Sequence, residues 1–81
     1  MNSIDLINKH NLTLKIESEL YPELKIFLED ENYEEIKQAK IKEFISSLSD
    51  KYKNIKDFKE MVEGTIYRLE QKELEEREEE R

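Results

Sequence analysis

The 81-residue chain has no cysteine, one histidine, one glycine and one proline. Without cysteine it can form neither a disulfide nor a thiolate metal site. With Gly64 as the only glycine, no glycine-rich loop is available to cradle a phosphate. His10 has no fixed acid or nucleophile beside it, so it carries no catalytic signature and reads as a surface or loop residue. No apolar run approaches the ~20 residues of a membrane span. The N-terminus lacks the basic-then-apolar pattern of a secretory signal. These absences predict a soluble, cytoplasmic protein that is not an enzyme and needs no cofactor. A single domain of this size buries only roughly 60–65% of its unfolded surface, which leaves room for a thin core and no deep pocket.

What the chain has in quantity is charge. Charged residues make up 43% of it and the net charge is −7. The acid is segregated. Residues 1–16 carry +1, residues 17–35 carry −7, residues 36–69 carry +3 and residues 70–81 carry −4. A nucleic-acid binder needs positive charge where it meets phosphate. Segregated acid suits a basic partner surface instead, including one built to hold nucleic acid.

The middle of the chain orders the rest. From residue 32 to residue 48, Ile36, Ile41, Phe44, Ile45 and Leu48 recur at helical spacing, with Lys37, Lys40, Lys42 and Glu43 left for water. Asn32 with Glu35 three residues on predicts a capping box. Ser46, Ser47, Ser49 and Asp50 weaken the helix end. Asn54 with Asp57 repeats the capping pattern for a long last helix, whose inner stripe is Ile55, Phe58, Met61, Val62, Ile66 and Leu69, with Leu74 as an extension. Gly64 inside it costs about 1 kcal/mol relative to alanine.

Upstream, Asn2 or Ser3 caps a short helix with Ile4 and Ile7 facing inward, ended by Asn11. Residues 12–17 and 24–29 each alternate apolar and polar, the period of a half-buried strand. Pro22 punctuates the turn between them. The expectation is an antiparallel hairpin whose buried face is Leu12, Leu14, Ile16, Leu24, Ile26 and Leu28, with Phe27 outside. A helix over residues 17–30 is the rival, disfavoured by Pro22 and by the double alternation. The expected fold is therefore α+β: a short N-terminal helix, an antiparallel β-hairpin and two C-terminal amphipathic helices, the last one long. Residues 1–74 form one domain, and residues 75–81 an acidic helical or frayed tail.

The candidate partner-binding residues are Glu29, Asp30, Glu31, Asn32, Tyr33, Glu34 and Glu35. Glu34 and Glu35 also have a local role, because acids in a first helical turn complement the helix dipole. Glu29, Asp30 and Glu31 repel one another and support no local structure. They either keep a strand end solvated and unpaired or face a partner. Tyr33 and Tyr21 flank acids, a setting common to interface anchors and to half-buried rim residues alike. The stretch from Asp30 to Ile41 is not a calcium loop: it lacks the glycine at the sixth position, and Ile41 stands where a bidentate glutamate belongs.

The order helix, strand, strand, helix, helix on a short acidic chain resembles the small Listeria-phage anti-CRISPR proteins that inhibit the type II RNA-guided nuclease. The likeness is carried by Met1-Asn2 with Asp5-Leu6-Ile7, by Thr13-Leu14-Lys15-Ile16, by Lys42-Glu43-Phe44-Ile45-Ser46, and by Phe58, Met61, Thr65-Ile66, Leu69 and Leu74. The resemblance implies a double-stranded DNA mimic whose carboxylates occupy an arginine-bearing cleft. It puts Asp30, Glu31, Asn32, Glu34 and Glu35 at the family's acidic strand–helix connection, and implies the host cell cytoplasm as the compartment. The family's acidic turn between its last two helices is replaced here by the mostly basic residues 51–57. The alternative expectation is a regulatory or structural module, an antitoxin-like partner or a homodimer, that makes contact through the long last helix. Truncation after Leu69 is expected to spare the inhibitor and cripple the module.

Overall fold

The computed structural model describes residues 3–79, and among them there is no strand. Helix α1 (Ser3–Lys15) runs directly into a π-helical turn (Ile16–Leu20), helix α2 (Tyr21–Leu24) and a 3-10 turn (Lys25–Phe27). The backbone is right-handed helical at each junction, at Lys15, Leu20 and Leu24. Residues 3–27 thus form one helical arm where the hairpin was expected. The α+β class is corrected to all-α.

The reason lies in a spacing that the alternation obscured. Leu12, Ile16, Leu20 and Leu24 are four residues apart and all buried, which is one face of a helix. Of the six residues assigned to the hairpin's inner face, Leu12, Ile16 and Leu24 are buried and Leu28 is partly so. Leu14 and Ile26 point outward, 48% and 75% exposed. Phe27, assigned to the outer face, packs against the core. Asn11 does not end the helix; the only non-glycine residue with positive φ among those described is Asp57, at 59°.

Pro22 is accommodated rather than avoided. Proline has no N–H to donate, and its ring crowds the carbonyl four residues back. Just ahead of it the helix widens, and the Tyr21 N–H reaches the Ile16 carbonyl five residues back. A π turn loosens the helix at the place where proline would otherwise break it.

Helix α3 (Tyr33–Ser47) follows, then the short α4 (Asp50–Lys53) and the 22-residue α5 (Phe58–Glu79). Asn32 holds the N-cap position as expected, but its side chain makes no capping bond, so the capping box with Glu35 is not formed. The Asn32 carbonyl accepts the Ile36 N–H at 3.1 Å. Helix α3 ends in the serine-rich stretch. The Ser46 and Ser47 hydroxyls donate to the Glu43 and Phe44 carbonyls, and Leu48 turns extended. The last helix starts at Phe58, not at Asn54. Asn54 instead closes α4, and the left-handed Asp57 redirects the chain, its carbonyl accepting the Met61 N–H at 3.0 Å.

The core is drawn from every part of the chain. The arm supplies Leu12, Ile16, Leu20 and Leu24; α3 supplies Ile41 and Phe44; Tyr52 and Ile55 come from α4 and the turn after it; Val62 and Ile66 come from α5. The start of α3 lies beside the second half of α5, where Tyr33 meets Glu70. That contact positions the acidic turn. It also removes the strands on which the anti-CRISPR resemblance depended, and with them the fold that the resemblance implied.

Candidate partner-binding face

The acidic turn, residues 28–32, links the arm to α3 and is folded on itself. The Asp30 N–H donates to the Phe27 carbonyl at 2.9 Å, and the Tyr33 N–H to the Asp30 carbonyl at 3.0 Å. One Asp30 carboxylate oxygen accepts the Asn32 N–H at 2.8 Å, a side chain closing its own turn. The run that looked locally useless in the sequence therefore has one structural member, Asp30.

Helix α5 holds this turn from outside. The Arg77 guanidinium donates to the Lys25 carbonyl at 3.0 Å, lies 3.5 Å from a Glu29 oxygen and bonds to Glu73 at 3.2 Å. Further along the same seam, the Tyr33 hydroxyl donates to Glu70, and the Lys37 ammonium reaches both Glu70 oxygens at 3.2 Å. The Tyr21 hydroxyl donates to the Leu69 carbonyl at 2.9 Å. Burial first, and the neighbouring Glu73 and Glu70 second, push the Tyr21 phenol up to about 12. Tyr33 moves in the same direction through burial and its bond to Glu70. Glu70 is buried, and its two partners satisfy the charge that burial would otherwise penalise.

The seven sequence-chosen residues thus divide. Tyr33 belongs to the core and to the Glu70 network, and Tyr21 is likewise buried. Glu29 is engaged by Arg77, and Asp30 by its own turn. Glu34 is 79% exposed at its side chain and lies 4.0 Å from Lys37, at the outer limit of an ion pair. Glu31 and Glu35 are exposed and form no ion pair among the described residues. Lys37 and Lys40, assigned to water, are tied inward instead. Lys37 binds Glu70, while Lys40 lies over the Phe27 ring and 3.2 Å from Glu23.

The sequence reading missed Glu70, Glu73 and Arg77 as parts of the site. A signal for Glu70 existed. It falls four residues after Ile66, on the continuation of the α5 inner stripe, and an acid on an apolar face calls for a buried partner.

Taken together, the turn and the second half of α5 form one acidic end. Residues 28–35 carry −5 and residues 70–79 carry −4. At the other end of α5, about 33 Å away for 22 residues at 1.5 Å each, stand Lys51, Lys53, Lys56 and Lys59. The helix macrodipole favours acid at a helix start and base at its end. The first turn of α5 holds Lys59 beside Glu60, and its last turn holds Glu76, Glu78 and Glu79 around Arg77. The dipole of α3 accounts for Glu34 and Glu35, but that of α5 does not account for the excess of glutamate in its last turn.

These features define a small all-α acidic protein with a charge-segregated surface. No protein-family model matches this chain, and no curated protein or solved structure matches it either. Among the described residues, no helix is long and apolar enough to cross a membrane.

Proposed function

We propose that this chain is a non-enzymatic binding protein whose acidic end seats on a basic surface of another protein, of the kind that holds nucleic acid. The observation that carries the reading is the meeting of two acidic segments, the turn and the second half of α5, at one end of the molecule, where the dipole of α5 gains nothing from the glutamates of its last turn. Opposite charge across an interface steers encounter and makes association fall with salt.

Glu31 and Glu35 are the best probes, because reversing them disturbs no internal partner. Immobilised wild-type chain should retain basic nucleic-acid-binding proteins from a lysate at low salt and release them at high salt. The Glu31→Lys/Glu35→Lys variant should retain far less, with an unchanged helical circular dichroism spectrum. Equal retention by the variant removes the acidic end from the mechanism.

The alternative, contact through the long helix, shares this surface, since Glu70, Glu73 and Arg77 belong to both. Truncation after Leu69 therefore does not separate the two readings. It deletes the groups that hold Tyr33 and the turn, and disables either one.

A further inference from the structure

Beside the acidic end, α3 and α5 leave an open groove. One part is lined by Leu28, Tyr33, Glu34, Lys37, Tyr67 and Leu74, among others. The next is lined by Lys37, Gln38, Glu60, Glu63, Gly64 and Tyr67. Lys37 and Tyr67 line both parts. Along α5 the groove runs from Glu60 to Leu74, about 21 Å or four helical turns.

Three features of its floor and rim specify an occupant. Tyr67, at its middle, is 61% exposed, a large aromatic left uncovered by this chain. One turn away, a Cβ at Gly64 would meet nothing within 4 Å, so the space above this glycine is an empty notch rather than a tight helix crossing. The rim is acidic: Glu34, Glu60 and Glu63 are exposed, and the only cation among the lining residues, Lys37, is already bound to Glu70. A groove between two helices that leaves an aromatic side chain exposed accepts a third helix. The rim charge requires that helix to be basic.

We propose that the α3–α5 groove binds a basic amphipathic helix of about four turns, belonging to the protein partner. An apolar side chain of that helix enters the notch over Gly64 against Tyr67, and its lysines or arginines flank Glu34, Glu60 and Glu63. This deepens the reading of an acid-to-basic-surface binder and rests on it, but the two fail separately, because Glu31 and Glu35 do not line the groove.

The test is a selection from a displayed library of helical peptides of about 14 residues, randomised on all faces, against the full chain. The enriched peptides should be net positive with apolar residues at helical spacing. Their binding, read by fluorescence anisotropy, should weaken at least about tenfold in Gly64→Leu and in Glu60→Lys/Glu63→Lys. It should change much less in Glu31→Lys/Glu35→Lys. Circular dichroism confirms that each variant is folded, and Tyr67→Ala serves as a second groove variant should Gly64→Leu unfold. Enriched peptides without basic bias overturn the proposal, as does equal binding to the groove variants. A wild-type dimer in light scattering that Gly64→Leu dissolves also overturns it, because a second copy is then the occupant. Peptides lost only in Glu31→Lys/Glu35→Lys leave the acidic-end reading standing and remove the groove.

Discussion

The two ends of α5 carry opposite charge and are built differently. At the acidic end the charges are part of the architecture. Glu70 is buried against Tyr33 and Lys37, and Arg77 bridges Glu73, Glu29 and the Lys25 carbonyl. At the basic end, Lys51, Lys53, Lys56 and Lys59 form no ion pair among the described residues; Lys51 lies 5.0 Å from the Tyr52 ring centroid, and the others face solvent. One end is held together by its charges, and the other only displays them. Substitutions at the acidic end should therefore cost folding stability, whereas those at the basic end should not.

The largest effect is expected at Glu70. Glu70→Ala strips the Tyr33 hydroxyl of its acceptor and leaves the half-buried Lys37 ammonium with only the exposed Glu34, 4.0 Å away, as counter-charge. Removing one member of a buried pair costs about 3–5 kcal/mol when the survivor is sealed in. Lys37 can turn toward water, so about 2–3 kcal/mol is the expected loss in urea denaturation. A loss below about 0.5 kcal/mol, the size of an ordinary surface change, would make the two ends equivalent.

A pH dependence sharpens the same contrast. Tyr21 keeps its proton in the folded chain up to about 12, against an ordinary 10.0. Above pH 10 the unfolded chain releases that proton first, so it binds fewer protons than the folded one, and stability falls as pH rises. The contribution is intact below pH 10 and is lost between 10 and about 12. Denaturation midpoints measured across that window should drop more steeply for wild type than for Tyr21→Phe. Parallel curves would mean that the Tyr21 proton has no part in the alkaline loss.

How much of this was legible in the sequence varies with the kind of information each element needs. The α3 and α5 stripes and the acidic run were readable because they are local and periodic. The arm was misread because two periods coexist in it. Leu12, Leu14 and Ile16 alternate, while Leu12, Ile16, Leu20 and Leu24 step by four. Treating Pro22 as a turn put Leu20 in a loop, and Leu20 is the residue that completes the helical series. A strand of 12–17 would have placed Leu14 inside; Leu14→Ser is instead expected to change stability by less than about 0.5 kcal/mol, against about 2–4 for Leu24→Ala. The joining of the turn to residues 70–77 was not legible at all. It depends on contacts between residues more than thirty apart, Tyr33 and Lys37 with Glu70, which no local pattern encodes.

A smaller effect is expected where the acidic end meets solvent. Arg77→Ala removes three contacts made by a partly exposed side chain, and ion pairs open to solvent contribute little. Its main consequence should be local: hydrogen exchange at the Asp30 and Asn32 amides should quicken while the core stays protected. Exchange unchanged at those amides would show that the turn closes through its own hydrogen bonds alone.

The smallest effect is also the one whose sign is most informative. Lys59 stands in the first turn of α5, where the partial positive charge of the helix start repels it. Lys59→Glu replaces that repulsion with attraction, and no internal ion pair among the described residues is lost. The expected result is a gain of about 0.3–1 kcal/mol, which shrinks as salt is added. The first turn of α5 pairs Lys59 with Glu60, whereas that of α3 carries Glu34 and Glu35 with no base. A gain on substitution would show that the lysine is kept at some cost to folding, and would direct attention to what the basic end meets outside the chain. A loss would mean that Lys59 has a partner within the fold, and the contrast between the two ends of α5 would no longer hold.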